Sequence, residues 1–221
     1  MAWGMKNYTI QLFGSSIVEG RIGAERAADR WYELMRRELC EIFPATCFAV
    51  YNCAVGGESI RELMAHFDRD LAGHTPDLCI AMFGWNNCRM CFTPDVRVPI
   101  EEFRELLGEF LPHLPEKTRC VGVIPQPMID EWHRSGHDPA YEEIRVRYGG
   151  NNAYHDLERE AGREFFRSRG IPFIDLDAAM AEDPKKYILP DGIHLNPEGH
   201  KLFAAEMIKA LEPILRADGC C

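Results

Sequence analysis

The sequence predicts a three-layer α/β/α fold in which helices cover both faces of a five-stranded parallel sheet. Short apolar runs alternate five times with longer segments of helical periodicity, and no repeat or low-complexity tract interrupts the alternation. The third run, residues 78–83, is almost wholly apolar, which is typical of a strand covered on both faces. A chain of 221 residues is also long enough to bury a core of its own.

Each predicted strand is a short apolar segment bounded by residues that favour turns. Gly14 closes the first strand, and Pro76 precedes the third. The predicted strands cover residues 8–13, 47–51, 78–83, 120–124 and 172–176.

The predicted helices have apolar residues at every third or fourth position. Asp29 suits the N-cap of the first helix, and Asn196 followed by Pro197 suits the start of the last. The helices cover about residues 31–42, 58–71, 100–111, 151–169 and 197–216. Residues 125–150 are irregular and polar, so we expect a functional loop or a small helical insertion there, within a single domain of residues 1–221.

Charge and cysteine content narrow the possible functions. The formal net charge is −10 and no block of Lys and Arg stands out, which disfavours nucleic acid and anionic membrane surfaces as partners. We find neither the apolar segment of a signal peptide nor the roughly 20 apolar residues of a membrane span. The nine cysteines lie mostly in apolar stretches, as reduced thiols do, so we expect a cytoplasmic protein. No feature specifies an oligomeric state.

Several common site motifs are absent or incomplete. Cys88 and Cys91 have a C-x-x-C spacing, but no second pair accompanies them, so packed thiols are a simpler interpretation than a metal site. Neither G-x-G-x-x-G nor a P-loop follows the first strand. The G-x-S-x-G pattern is missing, and Ser59 lies where a helix starts.

Polar residues cluster in the loops that follow four of the predicted strands. In an open parallel sheet, functional sites lie at the carboxyl ends of the strands, so we expect these loops to meet. In chain order, the loops contain Gly14-Ser15-Ser16, Gly56-Gly57, Asn86, and Asp191 with His194.

These residue types suit nucleophilic catalysis. Asp191 and His194, three residues apart before a capped helix, can hold an imidazole beside a carboxylate. A serine in the first loop can present its hydroxyl, while a backbone N–H near Gly57 and the Asn86 amide can donate to an oxyanion. Each residue also fits an ordinary turn or helix start, so the hypothesis depends on their combination.

The combination resembles the GDSL-type esterases, also called the SGNH hydrolase family, from about residue 12 to residue 200. The matching stretches are Gly14-Ser15-Ser16, Gly57, Gly84-Trp85-Asn86-Asn87 and Asp191-Gly192-Ile193-His194. The family has an aspartate where this chain has Ser15, and another where it has Asn87. Both departures remove a carboxylate from beside the site.

The resemblance implies a flavodoxin-like SGNH hydrolase fold and a role for each matched residue. Ser16 is implied as the nucleophile, His194 as the general base and Asp191 as its orienting partner. The N–H groups of Ser16 and Gly57 and the side chain of Asn86 are implied as the oxyanion hole. No metal or organic cofactor is required by this chemistry.

The resemblance also implies a small-molecule ester substrate. We expect short-acyl esters, with acetyl groups on sugars as one example, because the acidic chain has no apolar lid segment. Trp85, Asn87, Arg89 and Trp132 are candidates for lining the pocket, although each also suits packing or the surface. A non-catalytic binding protein and an acyltransferase on the same fold stay open as alternatives.

Overall fold

Five parallel strands form the sheet, as predicted. The computed structural model describes residues 4–72, 75–87 and 96–221. The strand order is β2-β1-β3-β4-β5. The strands are β1 (Lys6–Phe13), β2 (Thr46–Asn52), β3 (Leu78–Met82), β4 (Arg119–Ile124) and β5 (Phe173–Asp175).

Eight helices lie in the described residues. They are α1 (Ser16–Glu19), α2 (Trp31–Ile42), α3 (Ile60–Ala72), α4 (Ile100–Phe110), α5 (Glu142–Tyr148), α6 (Asn151–Ser168), α7 (Leu176–Met180) and α8 (Pro197–Ala217). The five long helices agree with the prediction to within two residues at each end. The short helix α5 lies within residues 125–150, where a functional loop or a small helical insertion was expected. The short helices α1 and α7 were not predicted, because four or five residues are too few to show a helical period.

Alternate residues of the central strand β3 pack into two different layers. Leu78, Ile80 and Met82 belong to one apolar cluster, and Cys79 and Ala81 belong to the other. The first cluster includes side chains of α2, α7 and α8, and the second includes side chains of α3, α4 and α6. This arrangement is the predicted α/β/α sandwich, with both faces of the sheet covered.

Aromatic side chains pack the helices together in each layer. In the first layer, the Trp31 ring stacks on Phe203 with centroids 4.0 Å apart, which joins α2 to α8. In the second layer, Phe67 of α3 meets Phe110 of α4 edge-on at 5.0 Å. Gly122 of β4 gives room to Phe166 of α6, since a Cβ at that glycine would lie 2.4 Å from the ring.

Side-chain caps explain where several elements begin and end. Ser59 precedes α3, and its backbone N–H donates to Glu62 Oε2 at 2.9 Å in a capping box. The Asn196 side chain accepts from Gly199 N at 3.0 Å, as predicted for the start of α8. The predicted cap at Asp29 is wrong, because Asp29 pairs with Arg26 in a 3-10 turn and α2 begins two residues later.

Two further observations concern the described residues as a whole. None of their helices combines the length and the apolar composition that a membrane span requires. Their cysteines are free thiols, and these are Cys40, Cys47, Cys53, Cys79, Cys120, Cys220 and Cys221. Cys88 and Cys91 lie outside the described residues.

Candidate active site

Ser16 lies directly after the first strand, at the first position of the one-turn helix α1. The buried side chains of Ile17 and Val18 anchor this turn against the core. Backbone hydrogen bonds from Glu19 N to Ser15 O (2.9 Å) and from Gly20 N to Ser16 O (3.1 Å) close it. The Ser16 hydroxyl is therefore presented at the carboxyl end of β1, where a parallel sheet places its sites.

His194 connects Ser16 to Asp191. His194 Nε2 lies 3.1 Å from Ser16 Oγ, and His194 Nδ1 lies 2.7 Å from Asp191 Oδ2. Since Nδ1–H donates to the carboxylate, Nε2 presents a lone pair that accepts the Ser16 hydroxyl proton. The arrangement can pass a proton from the serine to the imidazole while the carboxylate keeps the ring oriented.

The loop that carries Asp191 and His194 is tightly held. Asp191 Oδ1 accepts from the backbone N–H groups of Ile193 and His194, each at 2.9 Å. Gly192 has φ +78°, a conformation that residues other than glycine rarely adopt. A Cβ at this position would lie 2.6 Å from Ile129 O. Ile129 N in turn donates to Gly192 O at 2.9 Å.

A buried polar network from α6 supports the same loop. Arg159 is 1 % exposed and donates to Gln126 O at 3.3 Å, and Gln126 Nε2 donates to Ile193 O at 2.9 Å. The loop is thus fixed from behind by buried hydrogen bonds, which are costly to break.

The electrostatics favour an ionised Asp191. Partial burial raises its pKa, but the hydrogen bonds from the His194 ring and from the N–H groups of Ile193 and His194 outweigh burial. The net result is a pKa below the usual value for aspartate. A carboxylate therefore faces His194 throughout the neutral range.

Possible oxyanion donors lie beside Ser16. Gly57 has φ +85°, and the space where its Cβ would lie is open. The neighbouring Gly56 approaches closely, since a Cβ there would lie 3.7 Å from Ser16 Cβ. Asn86 Nδ2 is buried and has no hydrogen-bond partner among the described residues. An unsatisfied buried donor gains much from meeting a negative oxygen.

These residues surround one cavity of about 280 Å³. Its lining includes Ser16, Gly57, Trp85, Asn86 and His194, all of them predicted from the sequence. Gly56 and Ile193, which belong to the predicted site loops, also line it, and so do residues that were not predicted, namely Glu19, Arg21, Ile22, Met128, His133 and His155. In the described part of the chain, no group of three or more His, Cys, Asp or Glu side chains could hold a metal ion.

Two predicted pocket residues that the structure describes are not found in the lining. Asn87 is fully buried, and its Oδ1 accepts from Ile60 N at 3.1 Å, so it supports the start of α3. Trp132 instead packs near Lys185, whose ammonium lies 5.6 Å from its ring centroid. Arg89 lies outside the described residues.

Two histidines of the lining were missed. Burial lowers the pKa of His133 to about 4, so this ring is neutral at neutral pH. His155 pairs with Glu158 at 2.7 Å. The three-residue spacing of His155 and Glu158 on a predicted helix was a usable signal, because such residues lie on one helix face.

Comparison with known proteins identifies the class. Residues 12–202 match the GDSL-like lipase/acylhydrolase family, and the chain belongs to that family. The protein is a carboxylic ester hydrolase.

Plant proteins are among its relatives. The GDSL esterase/lipase CPRD49 of Arabidopsis thaliana is 26% identical over 213 residues, which cover 92% of this chain and 78% of the relative. The GDSL esterase/lipase WDL1 of Oryza sativa subsp. japonica is 28% identical over 213 residues, covering 91% and 76%.

Solved structures share the fold. A lipase/acylhydrolase from Enterococcus faecalis superposes with a TM-score of 0.75 at 19% identity, covering 94% of this chain and 96% of that chain. Axe2, an acetylxylan esterase from Geobacillus stearothermophilus, gives a TM-score of 0.67 at 18% identity and 96% coverage of both chains. Both solved structures therefore share the α/β/α fold over nearly the whole chain.

Proposed function

We propose that this protein hydrolyses short-acyl carboxylic esters through an acyl-enzyme formed on Ser16, with acetyl esters of carbohydrates as substrates. The observation that carries the proposal is the contact chain from Ser16 Oγ through the His194 ring to Asp191, with distances of 3.1 Å and 2.7 Å. These distances are within the range for proton transfer between a nucleophile, its base and an orienting acid.

In the first half-reaction, Ser16 Oγ bonds to the ester carbonyl carbon while His194 Nε2 takes its proton. The carbonyl electron pair moves onto oxygen, where the N–H groups of Ser16 and Gly57 and the Asn86 amide donate hydrogen bonds. Asp191 stabilises the imidazolium through Nδ1. The bond to the leaving alcohol then breaks, and that alcohol takes the proton from Nε2.

In the second half-reaction, water enters and gives a proton to His194 Nε2. The resulting hydroxide attacks the acyl carbon, and the same donors hold the new oxyanion. Collapse of this intermediate breaks the bond to Ser16 Oγ, which recovers its proton from His194. The products are a carboxylic acid and the regenerated serine.

The size of the cavity supports a small acyl group. About 280 Å³ lies just below the roughly 300–1,000 Å³ typical of ligand pockets. Trp85, Met128 and Ile193 form an apolar part of the wall. The acetyl assignment also follows the acetylxylan esterases among the proteins of the same fold.

We extend the proposal to the organisation and location of the protein. Residues 1–221 form one catalytic domain, because the described elements pack on both faces of the same sheet. A cytoplasmic location agrees with the free thiols of the described cysteines.

The test is hydrolysis of p-nitrophenyl esters from acetate to octanoate by the wild type, Ser16→Ala and Ser15→Ala. We expect turnover highest on acetate, lost in Ser16→Ala and largely kept in Ser15→Ala, since the His194 ring is hydrogen-bonded to Ser16 Oγ. Addition of an alcohol acceptor separates hydrolysis from acyl transfer. Absence of turnover at every chain length would contradict the proposal, and so would full activity of Ser16→Ala.

A further inference from the structure

His155, which lines the cavity, forms with Glu158 a second histidine–carboxylate pair that the proposed mechanism does not use. His155 Nδ1 lies 2.7 Å from Glu158 Oε2 on the same face of α6. The two side chains are 5 % and 2 % exposed, so the pair is almost completely removed from water. Buried ionisable pairs are costly to keep, and a pair of this kind in a cleft is a candidate functional group.

Aromatic neighbours fix the position of the His155 ring. The ring lies 4.5 Å from Trp85, at an interplanar angle of 43°, and 6.0 Å from Tyr154 in an edge-on arrangement. Trp85 and His155 both line the cavity that contains Ser16 and His194. The imidazole is therefore a rigid part of the cavity wall rather than a side chain free to turn into solvent.

The hydrogen bonding of His155 is incomplete. Nδ1 shares a hydrogen bond with Glu158, and Nε2 has no hydrogen-bond partner in residues 4–72, 75–87 and 96–221. Burial raises the pKa of Glu158, against the opposing effect of the His155 hydrogen bond. When Glu158 is ionised, neutral His155 offers Nε2 as an acceptor; when Glu158 carries the proton, Nε2–H is a donor.

A hydroxyl group satisfies either arrangement, because it both donates and accepts a hydrogen bond. An alkyl group in the same place would cover Nε2 without pairing it, which a binding site disfavours strongly. The chemical class of the missing partner is therefore an alcohol, and it can belong either to the leaving group or to the acyl chain of an ester.

We propose that His155, oriented by Glu158, binds a hydroxyl group of the substrate and makes the enzyme prefer hydroxylated esters. This inference rests on the proposed function, because it assigns a subsite within the same cavity. His155 acts here as a specificity-determining residue, separate from the proton transfer at His194.

The experiment compares esters that differ by a hydroxyl in place of a methyl group. On the alcohol side, 2-hydroxyethyl acetate is compared with propyl acetate. On the acyl side, ethyl 3-hydroxybutyrate is compared with ethyl 3-methylbutyrate. Acid release is followed by pH-stat, and we expect the wild type to favour the hydroxylated member of one pair by about tenfold or more in kcat/KM. The pair that responds identifies the side of the ester.

The variants are His155→Phe, which keeps an aromatic ring but removes both nitrogens, and Glu158→Gln, which removes the orienting carboxylate. We expect the kcat/KM ratio of the responding pair to fall towards one in His155→Phe and to fall partly in Glu158→Gln. If His155 had only a structural role, its replacement would lower kcat/KM equally for both esters of the pair and leave their ratio unchanged. The matched control is His113→Phe, since His113 forms a similar pair with Asp68 at 2.7 Å outside the cavity.

The outcomes separate the two proposals. If the wild type hydrolyses p-nitrophenyl acetate but shows no preference in either ester pair, the hydroxyl subsite is excluded and the proposed function stands. A folded His155→Phe variant with an unchanged kcat/KM ratio for the ester pair also excludes the hydroxyl subsite. If His155→Phe does not fold, the ratio of the wild type and that of Glu158→Gln decide the question. If the wild type hydrolyses no ester at all, the proposed function itself fails.

Discussion

His194 Nε2 lies 3.1 Å from Ser16 Oγ although the two residues are 178 positions apart in the chain. The sheet brings them together, since Ser16 follows the inner strand β1 and His194 lies in a loop fixed against residues 126 and 129. The contact is maintained by rigid elements on both sides. Changes at either side are therefore expected to have separable effects on chemistry and on stability.

The carboxylate of Asp191 is expected to contribute through the orientation of His194. In Asp191→Asn, the side-chain oxygen can still accept from Ile193 and His194 N–H groups, but the amide favours the wrong imidazole tautomer. We expect kcat for p-nitrophenyl acetate to fall by about 10⁴-fold with little change in the unfolding midpoint. The control is Asp183→Asn, an exposed position that makes no side-chain cap. A kcat within threefold of wild type in Asp191→Asn would refute the assigned role.

Neighbouring asparagines are expected to behave differently. Asn86→Ala removes a proposed oxyanion donor, so kcat should fall by about 10²–10³-fold while KM changes little. Asn87→Ala removes the acceptor for Ile60 N, so we expect a loss of about 1 kcal/mol in unfolding free energy and a smaller effect on kcat. Steady-state kinetics and urea unfolding of both variants distinguish these roles. A large loss of kcat in Asn87→Ala with a loss of stability alone in Asn86→Ala would contradict both assigned roles.

Gly192→Ala tests how tightly the loop of Asp191 and His194 is fixed. The substitution adds a Cβ 2.6 Å from Ile129 O to a residue with φ +78°. The matched control is Gly170→Ala, which has φ +63° and open space around the added atom. We expect Gly170→Ala to lose about 1–2 kcal/mol from backbone strain and Gly192→Ala to lose more. Only Gly192→Ala should also lower kcat, and equal effects of the two would contradict the close packing.

His133 is expected to make stability depend on pH. Its folded pKa of about 4 lies below the ordinary value of 6.5, so the unfolded chain binds the extra proton between these values. Its contribution is complete above pH 6.5 and is lost as the pH falls towards 4. We expect a loss on the order of 2 kcal/mol from this group between about pH 7 and pH 5.

The measurement is urea unfolding of the wild type and His133→Gln at both pH values. Glutamine does not titrate, so the free energy of unfolding of His133→Gln should fall less on acidification than that of the wild type. A wild type and a variant with the same pH dependence would show that His133 does not carry the effect. The control is His137→Gln, which replaces an exposed histidine near the same loop.

The fold could be predicted from the sequence because its strands are apolar runs between turn residues. β3 is buried on both faces, and the period of each long helix follows its buried side. The end of β5 was placed too late, since the Asp175 side chain accepts from Ala178 N at 3.0 Å and starts α7 there. Such a cap competes with strand extension, and its outcome depends on tertiary contacts.

The candidate site could be predicted only where its residues lie in loops at strand ends. Ser16, Gly57, Asn86 and His194 were found in this way. His155 was not, because it reaches the cavity from a helix, and helix packing decides which faces point there. Asn87 was expected in the pocket, but its side chain supports the start of α3 instead. The sequence does not reveal to which side of the turn this side chain is directed.

In the proposed reaction Ser16 is the nucleophile that becomes acylated, and His194 activates it. The most direct measurement is labelling of the native protein with a fluorophosphonate, followed by tandem mass spectrometry of its peptides. We expect a single adduct on Ser16, no adduct in Ser16→Ala, and much slower labelling in His194→Ala with the fold intact. An adduct on another residue would contradict the role of Ser16 as the nucleophile. Equally fast labelling without His194 would contradict its activation by His194.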